Sequence, residues 1–138
     1  VLIDVLATLV IVGLALGLAF AAVPRGTTSP RLRAIAEEIA TALRTARTDA
    51  LVGGRETLTI VDSDRRMIRA GDQRLQLPPD ITLSVLYAET CRRAGASVGV
   101  VFRPDGSSCG AVIRIARGSR GFRVRVNWYT GHVEILAA

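Results

Sequence analysis

Residues 1–23, VLIDVLATLVIVGLALGLAFAAV, form one apolar run broken by a single charge, Asp4. As a helix rising about 1.5 Å per residue, such a run is long enough to cross a hydrocarbon layer of about 30 Å. A carboxylate inside that layer costs about 2.5–3.5 kcal/mol on insertion scales, so Asp4 needs a partner or a task. A cleaved signal peptide would start with positive charge and carry a shorter apolar core. A plain membrane anchor fits the length and leaves Asp4 unexplained. A buried core helix stays open as a reading, although the run has no polar face.

Beyond the run, Pro24-Arg25-Gly26-Thr27-Thr28-Ser29-Pro30 breaks or bends a helix. Ser29-Pro30 is a helix start, with Ser as N-cap and Pro at the first helical position. Leu32, Ile35, Ala36, Ile39, Leu43, Ala46 and Ala50 then recur at three- and four-residue spacing, an amphipathic stripe. Arg33, Glu37, Thr41, Arg44 and Thr48 take the other side, and Gly53-Gly54 ends the helix.

After Gly54 the period changes. Glu56–Val61, Met67–Ala70, Leu75–Leu77, Ile81–Leu86, Val98–Phe102, Val112–Ala116, Phe122–Asn127 and Val133–Leu136 read as short strands between Gly, Asp and Pro turns. The expected fold class is α+β: a long N-terminal helix packed on an antiparallel β-rich domain. Its first half would span the membrane and its second half would be amphipathic. The expected segments are 1–23 (membrane and assembly helix), 24–54 (linker and amphipathic half) and 55–138 (β-sheet domain).

The formal net charge is +6, and every basic residue is Arg. The excess sits toward the C-terminus, where residues 112–138 hold five Arg against Glu134 alone. Catalytic chemistry has little to stand on. The single His, His132, has no triad or metal spacing, and Gly53-Gly54 lacks the Lys-Ser/Thr context of a phosphate loop. Pro104-Asp105-Gly106 is turn chemistry, with Asp105 bonding the backbone and not acting as an acid. No catalytic residue, cofactor or metal ligand is expected. Trp128 reads as core or rim packing, with partner contact as the other option.

Val-Leu-Ile-Asp-Val-Leu at 1–6, followed by Gly13, resembles the mature N-terminus of type IV pilins and type II secretion pseudopilins. With one residue ahead of Val1, Asp4 falls on that family's acidic position and Gly13 on its recurrent glycine. Two departures stand out: the family's aromatic first residue is missing, and Asp replaces the usual Glu.

A second resemblance lies in Phe102-Arg-Pro-Asp-Gly-Ser-Ser-Cys-Gly110, Val112-Ile-Arg-Ile115 and Arg123-Val-Arg-Val-Asn-Trp-Tyr-Thr-Gly-His-Val133. The helix text Ala40–Ala50 fits the same pattern. These segments are similar to the H-type minor pseudopilins of type II secretion, the GspH/FimT family. Cys109 stands where a small residue is usual, and His132 where Arg is usual. The resemblance implies a non-enzymatic subunit cut by the prepilin peptidase, N-methylated and held in the bacterial inner membrane, with its globular domain in the periplasm. Its partners would be other minor pseudopilins and the major pseudopilin, with this subunit linking the tip complex to the shaft.

In such filaments a buried Asp4 would pair with a neighbour's N-terminal amine; otherwise it stays hydrated near the membrane surface. Arg25, Arg31 and Arg33 just after the run would by themselves argue for a cytoplasmic side, against the resemblance.

A periplasmic domain also permits disulfides. Cys91 and Cys109 flank the Val98–Phe102 strand. A bridge between them, two free buried thiols and an intermolecular role all remain open.

Arg114, Arg123 and Arg125 would share one sheet face. That face is a solvated surface, a protein contact or, as in the related FimT-type minor pilins, a DNA-binding patch during uptake. Without interleaved aromatics, nucleic acid is the least favoured partner.

Overall fold

A computed structural model describes residues 1–21 and 30–138. The expected bend from Pro24 to Pro30 and the Ser29 cap lie outside the described residues. Among the described residues, two helices precede nine strands: α1 (Leu2–Ala21), α2 (Pro30–Gly53), β1 (Thr57–Asp62), β2 (Met67–Ala70), β3 (Gln73–Gln76), β4 (Thr82–Tyr87), β5 (Arg92–Ala94), β6 (Ser97–Phe102), β7 (Ala111–Arg117), β8 (Arg120–Val126) and β9 (Val133–Ala137). All strand pairs are antiparallel. One sheet has the order β3-β2-β1-β6-β5, and the other β4-β7-β8-β9.

The amphipathic stripe of α2 builds the core. Leu32, Ala36, Ile39, Leu43, Ala46 and Ala50 are buried, and Ala40 and Ala42 widen the buried face. Small alanines between larger side chains let the helix lie close to both sheets. Val61, Ile68 and Val100 meet it from the first sheet, and Ile113, Val124 and Val133 from the second. Every described side chain of α1, through Gly17, is exposed.

Most strands fall where alternation places them, with four differences. Arg92–Ala94 pairs with β6 as an edge strand although it has no apolar alternation. The third strand starts at Gln73, and Leu77 lies just past its end, buried. In β1 the threonine side faces inward: Thr59 is buried while Leu58 and Ile60 face outward. The Thr57 hydroxyl fixes that orientation by donating to the Ala46 carbonyl of α2 at 2.7 Å.

Trp128 is the fourth: of the core, rim and partner-contact options, the core position is not the one it takes. Alternation along β8 would turn it inward, but the strand ends at Val126. Asn127 Oδ1 then accepts the N–H groups of Tyr129 (2.9 Å) and Thr130 (3.0 Å). This turn swings Trp128 out, leaving it 67% exposed.

Asp62 closes the β1–β2 turn. Its Oδ1 accepts the Arg65 N–H at 2.9 Å, and its Oδ2 accepts the Ser97 hydroxyl at 3.1 Å. The Arg65 N–H, chiefly, holds the carboxyl below the ordinary 3.8, partly opposed by burial. The fold therefore favours the charged form. Its stabilisation is present above 3.8 and is lost as pH falls through the lowered folded value. Asp62→Asn is expected to flatten the acid limb of the stability curve, read by urea unfolding of the full chain in detergent. An unchanged acid limb would show that this carboxylate does not contribute there.

Candidate assembly site

The exposed apolar helix is the first element of the site. Leu2, Ile3, Val5, Leu6, Leu9, Val10, Ile11, Val12, Leu14 and Leu16 are exposed all around α1. A continuous apolar surface of this kind marks contact with lipid or with other chains. Asp4 is the charge in its first turn, with its side chain 91% exposed. Among the described residues no helix is long and apolar enough to cross a membrane. The expected span of residues 1–23 reaches past Gly17, where the described side chains of α1 end.

The second element fixes the globular part to α2. Arg44 Nη2 donates to the Val133 carbonyl at 3.0 Å. Arg47 Nε donates to the carbonyls of Gly106 (3.2 Å) and Thr130 (3.1 Å). The Pro104-Asp105-Gly106 turn and the Thr130-Gly131 turn, far apart in sequence, thus meet over one guanidinium. Sequence reasoning had put Arg44 on the outer side and missed this clamp; the signal was a pair of arginines three apart beside an apolar stripe.

Asp105 staples its own turn. Its Oδ1 accepts the Ser107 hydroxyl at 2.7 Å and the Ser107 N–H at 2.9 Å. Those two donors, the hydroxyl first, hold its carboxyl below the usual aspartate value. An ionised acceptor already engaged in this way is a turn brace.

A disulfide joins Cys91 to Cys109, with Cα atoms 5.2 Å apart. It ties the β4–β5 loop to the segment entering β7. Thr90 Oγ1 also donates to the Cys109 carbonyl at 3.3 Å. Closing a loop of this length contributes about 3 kcal/mol on the chain-entropy model. Cys91→Ser/Cys109→Ser is expected to lower stability by about that amount, and reductant should do the same to the wild type. Thermal melts with and without reductant check it; coincident melts would mean the bridge adds nothing.

Arg114, Arg123 and Arg125 lie together on the outer face of the second sheet. Arg114 stands directly opposite Arg123, and Arg125 opposite Glu134, with which it forms an ion pair. Two exposed guanidinium groups therefore remain side by side, and one is neutralised. Trp128 and Tyr129, edge to face at 5.5 Å, are exposed in the turn that follows β8.

An exposed apolar N-terminal helix, an amphipathic helix and two antiparallel sheets make up a pilin-like fold. The chain belongs to the family described as type II transport protein GspH, which matches residues 36–131. It is 30% identical over 134 residues to the type II secretion system protein H of Xanthomonas campestris pv. campestris, covering 96% of this chain and 79% of that protein. The fold is shared with the minor pseudopilin EpsH from the type 2 secretion system of Vibrio cholerae: TM-score 0.63, 14% identity, 77% of this chain and 96% of that one. The type IV minor pilin FimU of Pseudomonas aeruginosa is similar too, with TM-score 0.55, 15% identity, and 78% and 97% coverage. Family and fold are those of structural subunits.

Proposed function

We propose that this chain is a minor pseudopilin that joins a short periplasmic pseudopilus and links its tip complex to the major pseudopilin. Residues 1–23 hold it in the inner membrane and then pack among the apolar helices of other pseudopilins. Residues 24–54 form the linker and stem, and residues 55–138 the periplasmic head. Maturation runs through the prepilin peptidase, with N-methylation of the new amine. The observation that carries this reading is α1, whose described side chains are all exposed and mostly apolar, with one carboxylate in its first turn. In a helical bundle that carboxylate meets the N-terminal amine of a neighbour, which offsets its desolvation and penalises misregistered entry.

The Arg114–Arg123 pair then faces a protein neighbour. The DNA-uptake reading has less support, since Arg125 is already engaged by Glu134.

Deleting the gene in its host tests the proposal, scored for protein secretion and for DNA uptake. Lost secretion with normal uptake supports the pseudopilus. Lost uptake with normal secretion overturns it and makes Arg114, Arg123 and Arg125 the residues to change next.

A further inference from the structure

The outer face of the five-stranded sheet carries a second basic surface, remote in sequence from the C-terminal arginines. One cross-strand row reads Arg74, Arg69, Ile60, Gly99, Arg92 from β3 to β5. Arginine occupies both ends of the row, and the middle is low. Gly99 has no side chain because Leu58 fills the space: a Cβ there would lie 2.6 Å from Leu58 Cδ1. Leu58, Ile60 and Met67 therefore floor a depression of about 560 Å³, and Arg65 and Arg93 also line it. Its core-facing counterparts Thr59 and Val61 are buried toward α2, while on the outer face Leu58 is exposed and Ile60 and Met67 are partly exposed.

The charge is unbalanced. Arg65 lies near Asp62 and Arg92 pairs with Glu56 at 3.1 Å. Among the described residues, Arg69, Arg74 and Arg93 have no carboxylate within ion-pair distance. Arg69 and Arg74 are direct cross-strand partners, an arrangement that destabilises a sheet by like-charge repulsion. An acidic partner would remove that cost.

The shape narrows the partner. Arg69 and Arg92 are three strand spacings apart, about 14 Å at roughly 4.8 Å per spacing. A helix of about 10–12 Å diameter fits between those walls. We infer that this trough docks an acidic amphipathic helix of a partner protein. Its aliphatic stripe rests on Leu58, Ile60 and Met67, and carboxylates on one shoulder meet Arg69 and Arg74, while Arg92, paired with Glu56, bounds the other side. The aliphatic floor gives nothing to a phosphodiester backbone, and no aromatic ring lines the depression for base stacking, so protein is the better match than nucleic acid. The inference stands whether or not α1 enters a filament.

The test uses the full chain in detergent and a labelled helical peptide with a leucine stripe flanked by glutamates, followed by fluorescence anisotropy. Binding is expected, weakened by about tenfold or more in Arg69→Gln/Arg74→Gln through loss of charged hydrogen bonds. It should be absent when lysines replace the glutamates. The glutamine variant removes a repulsion, so its melting temperature should match or exceed the wild type, which separates lost docking from lost fold. Absence of binding by the glutamate peptide, or equal binding to the double variant, overturns the inference. So does tighter binding of a single-stranded DNA oligonucleotide at the same salt.

Discussion

Asp4→Ala is expected to insert into the membrane at least as well as the wild type and yet to fail in assembly, with secretion lost. The two halves follow from one charge. Alone in the bilayer, the carboxylate is a cost, so its removal helps insertion. Within a bundle of apolar helices it is the only described charge of α1 able to meet a neighbour's amine. In the bundle proposed above, that amine would then be buried without a counter-charge, and incorporation should fall by roughly a hundredfold or more.

Asp4→Asn separates charge from shape. It keeps the size and hydrogen-bonding capacity and should fail as Ala does, whereas Asp4→Glu should retain function. Membrane fractionation and cross-linking into the pseudopilus, read beside a secretion assay, check all three variants. Normal secretion in Asp4→Ala would mean that the side chain stays hydrated at the membrane surface and has no role in register.

Gly131→Ala is expected to be the most damaging single methyl in the globular part. Gly131 sits at φ +67°, where a Cβ costs about 1–2 kcal/mol in backbone strain. The added atom would also press on the Gly106 carbonyl and lie 2.8 Å from Arg47 Nε. Yielding there means giving up the Arg47 bonds, worth about 1.5–3 kcal/mol for a charged donor. A combined loss of about 3–5 kcal/mol is a large share of the ~5–15 kcal/mol that typically holds a domain. The full chain in detergent should melt at least ~12 °C lower at about 4 °C per kcal/mol. Arg47→Ala should be less harmful in the Gly131→Ala background than alone, because the clamp is already lost there. Additive effects would mean that the glycine and the arginine act separately.

The legible parts of this molecule are those written in local periodicity. The stripe from Leu32 to Ala50 announces α2, and the alternation of Arg123, Val124, Arg125 and Val126 announces both β8 and its basic face. β5 was not legible because Arg92-Arg93-Ala94 has no inward apolar residue; it is a strand only because β6 offers it an edge. Trp128 followed the strand period on paper, but the Asn127 turn interrupts that period one residue earlier. The Arg47 clamp depends on carbonyls 59 and 83 residues away, and no local pattern encodes such a distance. The arginine trough draws its walls from β2, β3 and β5 and its floor from β1 and β2, so it exists only once the sheet is paired.

The polar ties between stem and head fall within one turn of α2: Arg44 to Val133, Arg47 to Gly106 and Thr130, and the Ala46 carbonyl to Thr57. Above that turn, from Leu32 to Ala40, the stem meets the sheets through apolar packing, which resists separation but has little directional stiffness. A thrust along the stem would enter the head at this collar, shared between the two sheets. The collar adds direction to a contact that the packed residues from Leu32 to Ala40 already hold close. The head is thus oriented on the stem by one ring of hydrogen bonds, and its position along the stem is shared with the apolar core.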